Sequence, residues 1–415
     1  MMLMTPVVPS ASYLEEGEVI TSTDFKYDAA EEGMQISDKL IMRLLTEYRV
    51  TKSDFKDKDN DPMDKTSQQN PGHGTHCAGI VGANGLVDGG IVGMSPDVTI
   101  MPIRFLGADG SGDLNDAIKA IDYAIEKGAH VISASWGASV PRSQATALLE
   151  AIKRADDKGL IFIAAAANDG KNNDVTEVYP ANNGLPNSIT VAASGSSDAK
   201  PSWSNYGMAS VHLSSPGENI MSTLPADKYG NLSGTSMATP LVSGMVAFLK
   251  SQDPSLTGAQ IRAILQTTGA KVSIQTACNC RVDAFNAVDA ILNKQMTVVP
   301  AAGTIKPAET LNFSTVYAKE PLKFTVSDTK LARIDEKGLF TSLAEGAVKV
   351  TVTDADGKTA NSLDINIKNK SGGGNPSEPG EPGQPGEPGE CPLGDPMLCQ
   401  IICAIQPDLP FCQAK

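Results

Sequence analysis

Three short segments of this 415-residue chain carry residue types that can do acyl-transfer chemistry. Residues 72–76 read Gly-His-Gly-Thr-His, and residues 234–240 read Gly-Thr-Ser-Met-Ala-Thr-Pro. A serine hydroxyl is a poor nucleophile until a neighbouring base takes its proton, so the pair indicates His73 as general base and Ser236 as nucleophile. Between them in the sequence lies Asn168, whose side-chain amide can donate a hydrogen bond to a developing oxyanion. Together the three predict hydrolysis through an acyl-enzyme.

In this order the three segments resemble those of the subtilisin-like serine proteases. Cys77, directly after the histidine segment, is similar to the residue found in the proteinase K-like branch of that family. The resemblance runs from about Phe55 to Leu292. It implies a serine endopeptidase in which the Ser236 amide and the Asn168 side chain form an oxyanion hole.

The resemblance also implies a peptide-binding groove. Ser135, Trp136 and Gly137 match the strand that pairs with the substrate backbone, and Gly110 lies on the opposing segment. Strand addition on both sides would hold an extended protein or peptide substrate through main-chain hydrogen bonds. Trp136 and Ala167 stand where the family has an aliphatic residue and a glycine, so we expect a narrower primary pocket.

One family element has no match in the sequence. An Asp-Ser-Gly or Asp-Thr-Gly segment, whose aspartate orients the histidine, does not occur before His73. Asp24, after the β-prone residues 19–23, is the local candidate for that role. The missing segment suggests an incomplete front end. It also raises the alternative that the chain is a catalytically impaired pseudoprotease or a surface-binding protein.

The remaining histidines and Cys77 have simpler interpretations. His76, His130 and His212 lie in settings that favour structural roles. Zinc is disfavoured, because a His-Gly-Thr-His spacing with no third ligand nearby does not match known zinc sites. We therefore expect no metal in the reaction. Cys77 is either a small buried apolar residue or a thiol whose modification disturbs His73.

A structural calcium ion is a separate expectation. Asp57, Asp59 and Asp61 alternate in a polar loop and could bind Ca²⁺ through their carboxylates, although a solvated acidic turn fits equally well. A second calcium position near residues 84–92 has good side-chain ligands only in Asn84 and Asp88.

Charge and apolar content exclude several classes of function. The net charge of −14 and a pI near 4.8 argue against nucleic-acid binding, which needs a basic surface. No apolar run approaches the roughly 20 residues that span a bilayer, and the first residues lack the pattern of a signal peptide.

Four of the seven cysteines fall within residues 391–415, a segment too small for its own core. Such tails are usually held by disulfides, so we expect an extracellular or cell-surface protein.

The order of the predicted elements gives the fold class. Strands alternate with amphipathic helices after His73, which predicts an α/β fold with a mostly parallel sheet covered by helices on both faces. Short alternating segments follow from about residue 296 and predict a small β-sandwich. The predicted division is an unassigned segment 1–49, a peptidase domain 50–294, the β-sandwich 296–368, a Pro/Gly/Glu linker 371–390 and a Cys-rich tail 391–415.

The β-sandwich segment resembles bacterial Ig-like domains of the second group. The resemblance rests on the sequence from Val326 to Asp335 and on the segments 338–340 and 344–346. Such modules are common on surface proteins, so contact with the cell envelope or a polysaccharide is expected. The repeated Glu-Pro-Gly of the linker cannot bury a core and acts as a spacer.

Overall fold

A computed structural model of the chain describes residues 2–5, 53–58, 61–67, 70–85 and 90–369, with the backbone alone at 2–5. These residues belong to one compact unit. Asp24, Asp59 and Asp88, the linker and the Cys-rich tail lie outside the described residues. The helices that are described are too short or too polar to span a membrane.

The larger part of the structure is built on a nine-stranded sheet. Its strands lie in the order β10-β11-β7-β6-β5-β4-β1-β3-β2. Their bounds are β1 Met2–Thr5, β2 Ser53–Asp54, β3 Met101–Arg104, β4 Val131–Ala134, β5 Ile161–Ala165, β6 Ser188–Ser194, β7 Leu213–Pro216, β10 Ala270–Lys271 and β11 Cys280–Arg281. A separate hairpin joins β8 Ile220–Leu224 to β9 Lys228–Leu232.

Strand directions divide this sheet into two parallel blocks. β4, β5, β6, β7 and β11 run parallel to one another, and β2 runs parallel to β3. Between the blocks lies β1, antiparallel to β4 on one side and to β3 on the other. Met2 pairs with both Ala134 and Ile103, near the carboxyl ends of those strands. The N-terminal strand therefore joins the two blocks.

Helices cover both faces of the sheet. They are α1 His73–Gly82, α2 Leu114–Glu126, α3 Thr146–Asp157, α4 Thr235–Gln252, α5 Gly258–Thr268 and α6 Ala284–Leu292. Ile161 and Ile163 of β5 pack in the core cluster that includes α4, α5 and α6, whereas Phe162 packs with α2 and α3. Since successive strand side chains point to opposite faces, this split means that both faces are buried. The predicted α/β architecture is confirmed.

Residues after α6 form a small all-β domain. Its strands are β12 Thr297–Val299, β13 Gly303–Ile305, β14 Thr310–Asn312, β15 Ser314–Val316, β16 Lys323–Val326, β17 Ala332–Ile334, β18 Leu339–Ser342, β19 Gly346–Val348, β20 Val350–Thr353, β21 Thr359–Asn361 and β22 Ile365–Ile367. Phe313, Phe340, Val350 and Ile365 are buried in its own core. This agrees with the predicted β-sandwich.

The small domain also shares a core with the domain built on the nine-stranded sheet. Val316 at the end of β15 is 6% exposed and packs in the same cluster as residues of α4, α5 and α6. Beside it the Tyr317 hydroxyl donates to the Asp253 carboxylate at 2.8 Å, and Lys294 donates to the same oxygen at 2.7 Å. Asp253 is the residue directly after α4, so the small domain holds the far end of that helix.

Two cysteines left open by the sequence are adjacent in space. The sulfurs of Cys278 and Cys280 lie 1.98 Å apart, which is the length of a disulfide bond. Both residues are buried, and Cys280 is the first residue of β11, the second strand from one edge of the large sheet. Cys77 is a free, buried cysteine.

Candidate active site

Ser236 is the second residue of α4, and Gly234 precedes the helix. The first turn of a helix has unpaired N–H groups and a partial positive charge, which favour an anion there. The Ser236 hydroxyl donates to the Ser135 carbonyl at 3.3 Å, and the Ser135 hydroxyl donates to the Ser236 carbonyl at 2.8 Å. Ser236 therefore does not cap its helix. The two bonds hold it at the carboxyl end of β4.

The Asn168 side chain is oriented by the residue before the proposed nucleophile. Its Oδ1 accepts from the Thr235 backbone N–H at 2.8 Å and from the Thr235 hydroxyl at 2.9 Å. Because both contacts are donors, the oxygen must face Thr235, and the two Nδ2 hydrogens point elsewhere. A Cβ placed on Gly234 would lie 3.4 Å from Asn168 Nδ2 and 3.5 Å from the Ser236 nitrogen. The Asn168 Nδ2 group and the Ser236 backbone N–H therefore flank one space, which a side chain at position 234 would partly fill.

Ala167 adopts a strained conformation beside these donors. Its φ of 88° lies in the left-handed region, which costs a non-glycine residue about 1–3 kcal/mol. The Ala167 N–H donates to the Thr235 hydroxyl at 3.2 Å, and its carbonyl accepts from the Asn205 N–H at 3.0 Å. These bonds fix the turn that presents Asn168.

His73 is the first residue of α1. The Asn70 side chain accepts from its backbone N–H at 2.9 Å. Gly72 enters the helix at φ 114°, and a Cβ there would lie 2.2 Å from Cδ of Pro225, so no other residue fits. Burial, with a smaller effect from nearby His76, lowers the pKa of the His73 imidazole to about 3. The ring is therefore neutral and able to accept a proton at neutral pH.

Cys77 connects the histidine to the serine. Its sulfur lies 4.0 Å from His73 Nδ1 and donates to the Ser236 carbonyl at 3.3 Å. Burial raises the pKa of the thiol to about 12, so it stays protonated. Among the described residues there is no hydrogen bond between the His73 ring and the Ser236 hydroxyl. Such bonds are often loose without substrate and form once the hydroxyl turns from Ser135.

A groove opens from His73 between two segments of backbone. Gly107 and Gly110 line one wall, and Ser135, Trp136 and Gly137 line the other. Phe105 packs edge-on against Trp136, with ring centroids 5.1 Å apart, and this contact sets the position of the indole. The substrate-binding roles of Gly110, Ser135, Trp136 and Gly137 stay predictions, but all four line the same groove as His73.

Three charged residues of this region were not identified from the sequence. Asp64, Lys65 and Arg104 also line the cavity beside His73. Arg104 is 2% exposed and donates to Asp54 and to Asp57, each at 2.7 Å. No local pattern predicts this contact, because about 50 residues separate the arginine from its partners.

The ion pairs of Arg104 also affect the calcium site predicted at Asp57. Asp57 is paired with both Arg104 and Lys65, whose bonds lower the pKa of that carboxyl to about 2. The positive charges of Lys65 and Arg104 beside Asp57 disfavour the binding of a divalent cation there. Asp61 accepts from the Met63 N–H, and within the described ranges no cluster of three histidine, cysteine or acidic residues could hold a metal. Calcium binding stays a prediction, and no step of the chemistry is routed through it.

The other histidines have structural surroundings. His76 is fully buried and its Nε2 contacts the Gly230 carbonyl at 3.0 Å. His212 Nδ1 accepts from the Thr190 backbone N–H at 2.8 Å, and Nε2 lies 3.2 Å from Arg262. Burial lowers the pKa of His76 and of His130, and it lowers that of His212 well below the usual value.

Because these histidines are neutral in the folded chain, we expect the free energy of unfolding to decrease as the pH is lowered. Below about pH 6.5 the unfolded chain binds protons at its histidines, whereas the folded chain does not. Unfolding is therefore favoured as the pH falls from 7 to 5. We expect the melting temperature of the His212→Asn variant, whose side-chain oxygen can still accept from Thr190, to fall less over this range than that of the wild type. Differential scanning fluorimetry measures both slopes, and equal slopes would contradict the argument.

Comparison with known proteins places this site in a family. The sequence profile of the Subtilase family matches residues 22–317, and that of the bacterial Ig-like domain (group 2) matches residues 293–364. Thermitase of Thermoactinomyces vulgaris is 40% identical over 237 residues, which are 57% of this chain and 79% of thermitase. Subtilisin BL of Lederbergia lenta is 35% identical over 208 residues, which are 50% of this chain and 73% of that protein.

A solved structure is also similar. It is a cold adapted subtilisin-like serine proteinase, 30% identical, with a TM-score of 0.47, and the match covers 57% of this chain and 81% of the other. Because the Subtilase profile covers more than half of the chain, the chain belongs to the subtilase family. It is therefore a serine endopeptidase by family, with a C-terminal Ig-like domain, and both resemblances drawn from the sequence are confirmed.

Proposed function

We propose that this protein hydrolyses peptide bonds through an acyl-enzyme on Ser236. His73 takes the hydroxyl proton as Oγ attacks the peptide carbonyl, and then gives it to the leaving amine when the C–N bond breaks. A water molecule, activated by the same imidazole, then releases the acyl group. The substrate would lie extended between the Gly107–Gly110 and Ser135–Gly137 segments, bonded through its backbone.

The orientation of Asn168 is the observation that carries this proposal. Thr235 fixes its oxygen, so Nδ2 and the Ser236 N–H flank one empty position next to the hydroxyl. A developing oxyanion requires donors close to one position, and these two lie near the same one. Neither donor depends on the protonation of His73.

Asn168→Ala tests the oxyanion role. We expect kcat on a peptide substrate to fall about 10²–10³-fold with little change in KM, the size of effect known for one oxyanion donor in subtilisin, a member of this family. Asn168→Asp is the matched variant, because it keeps the acceptor for Thr235 and loses the donor. Full activity in Asn168→Asp would contradict the assignment.

Labelling tests the nucleophile directly. A fluorophosphonate should attach to Ser236, identified by mass spectrometry of the labelled peptide. Hydrolysis of a protein substrate without any label at Ser236 would overturn the proposal.

A second function has one observation in its favour. No carboxylate among the described residues forms a hydrogen bond with the His73 ring, and loss of the orienting aspartate costs about 3 × 10⁴ in kcat in subtilisin. A pseudoprotease that binds peptides would label slowly and show no turnover, although it would retain peptide in the groove. Comparing peptide binding with peptide hydrolysis separates the two functions.

The location of the protein outside the cell is a further part of this proposal. We infer an extracellular or surface protein, in which the Ig-like domain contacts the envelope or a polysaccharide. The Ig-like match supports this inference, as do the cysteines of residues 391–415. Fractionation of the producing cells tests it.

A further inference from the structure

The turn that presents Asn168 is hydrogen-bonded to a neighbouring loop. The Asn205 backbone N–H donates to the Ala167 carbonyl at 3.0 Å, and the Gly170 N–H donates to the Trp203 carbonyl at 2.7 Å. These two bonds lie on either side of Asn168 in the sequence. A turn that is held on both sides leaves little freedom to the side chain between them.

The Asn205 side chain bonds to the same turn. Its Oδ1 accepts from the backbone N–H groups of Asp169 and Lys171, each at 2.9 Å. Because both contacts are donors, the oxygen of this amide must face the turn. Asn205 is 0% exposed, and its one oxygen holds two of the three residues that directly follow Asn168.

A second buried asparagine links Asn205 to the start of the turn. Asn205 Nδ2 donates to Asn173 Oδ1 at 2.9 Å, and Asn173 Nδ2 donates to the Ala166 carbonyl at 2.9 Å. Both asparagines are fully buried. The Asn205 side chain is therefore connected to the turn on both sides of Asn168, directly on one side and through Asn173 on the other.

This support matters because the turn is strained. Ala167 has a φ of 88°, a conformation that persists only when the surrounding structure determines it. Thr235 holds the oxygen of the Asn168 side chain, but it does not hold the backbone from which that side chain begins. Loss of the Asn205 amide would therefore let the turn relax and shift Asn168 Nδ2.

We propose that Asn205 is a positioning residue for Asn168, and that its side chain keeps Asn168 Nδ2 at the place where the oxyanion develops. This inference rests on the proposed function. Because Asn205 is fully buried, it cannot contact the substrate and acts through the turn alone. The oxyanion develops in the transition state, so losing this support should lower kcat and leave KM unchanged.

Asn205→Ala tests this role. We expect kcat on a peptide substrate to fall about tenfold, because even a small displacement of a positioned group is costly. The matched control is Asn183→Ala. Asn183 is also buried, accepts from the Leu185 N–H at 2.9 Å and donates to the Pro180 carbonyl at 2.9 Å, so it holds a different loop in the same way. Its loss should lower the melting temperature and leave kcat unchanged.

The decisive readout is a double-mutant cycle with Asn168→Ala. If Asn205 acts through Asn168, Asn205→Ala should lower kcat about tenfold in the wild type and less than about twofold in the Asn168→Ala background. A residue that only supports the fold would lower kcat by the same factor in both backgrounds. That result would overturn the inference.

A shorter side chain keeps the test valid if the alanine variant does not fold. Where Asn205→Ala shows no cooperative melting, the same cycle is measured with Asn205→Ser, whose hydroxyl is too short to accept from both N–H groups. If neither variant folds, Asn205 supports the domain as a whole and the inference is wrong.

The outcomes also separate the inference from the proposed function. If Asn168→Ala keeps the wild-type kcat, the oxyanion role of Asn168 fails, and the inference fails with it. If Asn168→Ala loses activity while a folded Asn205→Ala keeps the wild-type kcat, the proposed function stands and only the inference is overturned.

Discussion

Replacing Ser236 by alanine is expected to reduce peptide hydrolysis about 10⁶-fold in kcat, the size of effect known for the nucleophile of subtilisin, a member of the same family. The reason is that no acyl-enzyme can form, so only the oxyanion donors and substrate binding remain to accelerate attack by water. The Ser236 hydroxyl makes one weak bond, to the Ser135 carbonyl at 3.3 Å, so folding should be unaffected. Steady-state kinetics on a peptide substrate measures the loss.

Ser233→Ala is the control for this result. Ser233 is exposed, lies three residues before Ser236 and accepts from the Asn219 N–H. The substitution removes the same atom from a serine just before α4 without touching the proposed chemistry. Its kcat should match the wild type. If Ser236→Ala keeps more than a tenth of the wild-type rate, the nucleophile lies elsewhere.

The second large effect is expected from a substitution in the Ig-like domain. Val316→Asp places a carboxylate in the core that the Ig-like domain shares with α4, α5 and α6, where the valine is 6% exposed. A buried charge without a partner costs about 3 kcal/mol or more, which corresponds to a fall of about 10 °C in melting temperature. Both tryptophans, Trp136 and Trp203, lie in the peptidase domain, so their fluorescence reports that domain alone.

We therefore expect the tryptophan-reported transition to shift, although the substitution is in the Ig-like domain. Leu339→Asp is the control, because Leu339 is 40% exposed on the same domain and should change stability little. A tryptophan midpoint that stays at the wild-type value in Val316→Asp would show that the two domains unfold separately. Tyr317 and Lys294, which bind Asp253 at the end of α4, would then contribute little to coupling.

The sequence allowed much of this architecture to be predicted. The apolar spacing after Leu114 and the glycine at position 128 are local signals that predict a helix over Leu114–Lys127, and α2 ends one residue earlier. The continuous apolar run of residues 160–166 predicts a strand buried on both faces, and β5 lies within it. His73, Asn168 and Ser236 could be identified because their residue types suit acyl transfer and their segments follow each other in the order of the subtilisin-like family.

What the sequence could not provide were contacts between distant segments. Asp64 was one of several aspartates in a polar loop, and only its bonds to Thr75 set it apart. Arg104 is the last residue of β3, and its pairing with Asp54 depends on β2 lying beside β3. The direction of β1 was equally hidden, since a strand of only four residues can pair either way.

The position of β1 has a consequence for the order in which the sheet folds. The pairing of Met2 with Ala134 joins residues more than a hundred positions apart, and the pairing with Ile103 is nearly as distant. Long-range pairings of this kind form slowly, because a large loop must close before any contact compensates for its entropy. β1 would thus be among the last strands to reach its final place, and the two parallel blocks on either side of it would have to form before it could pair with both.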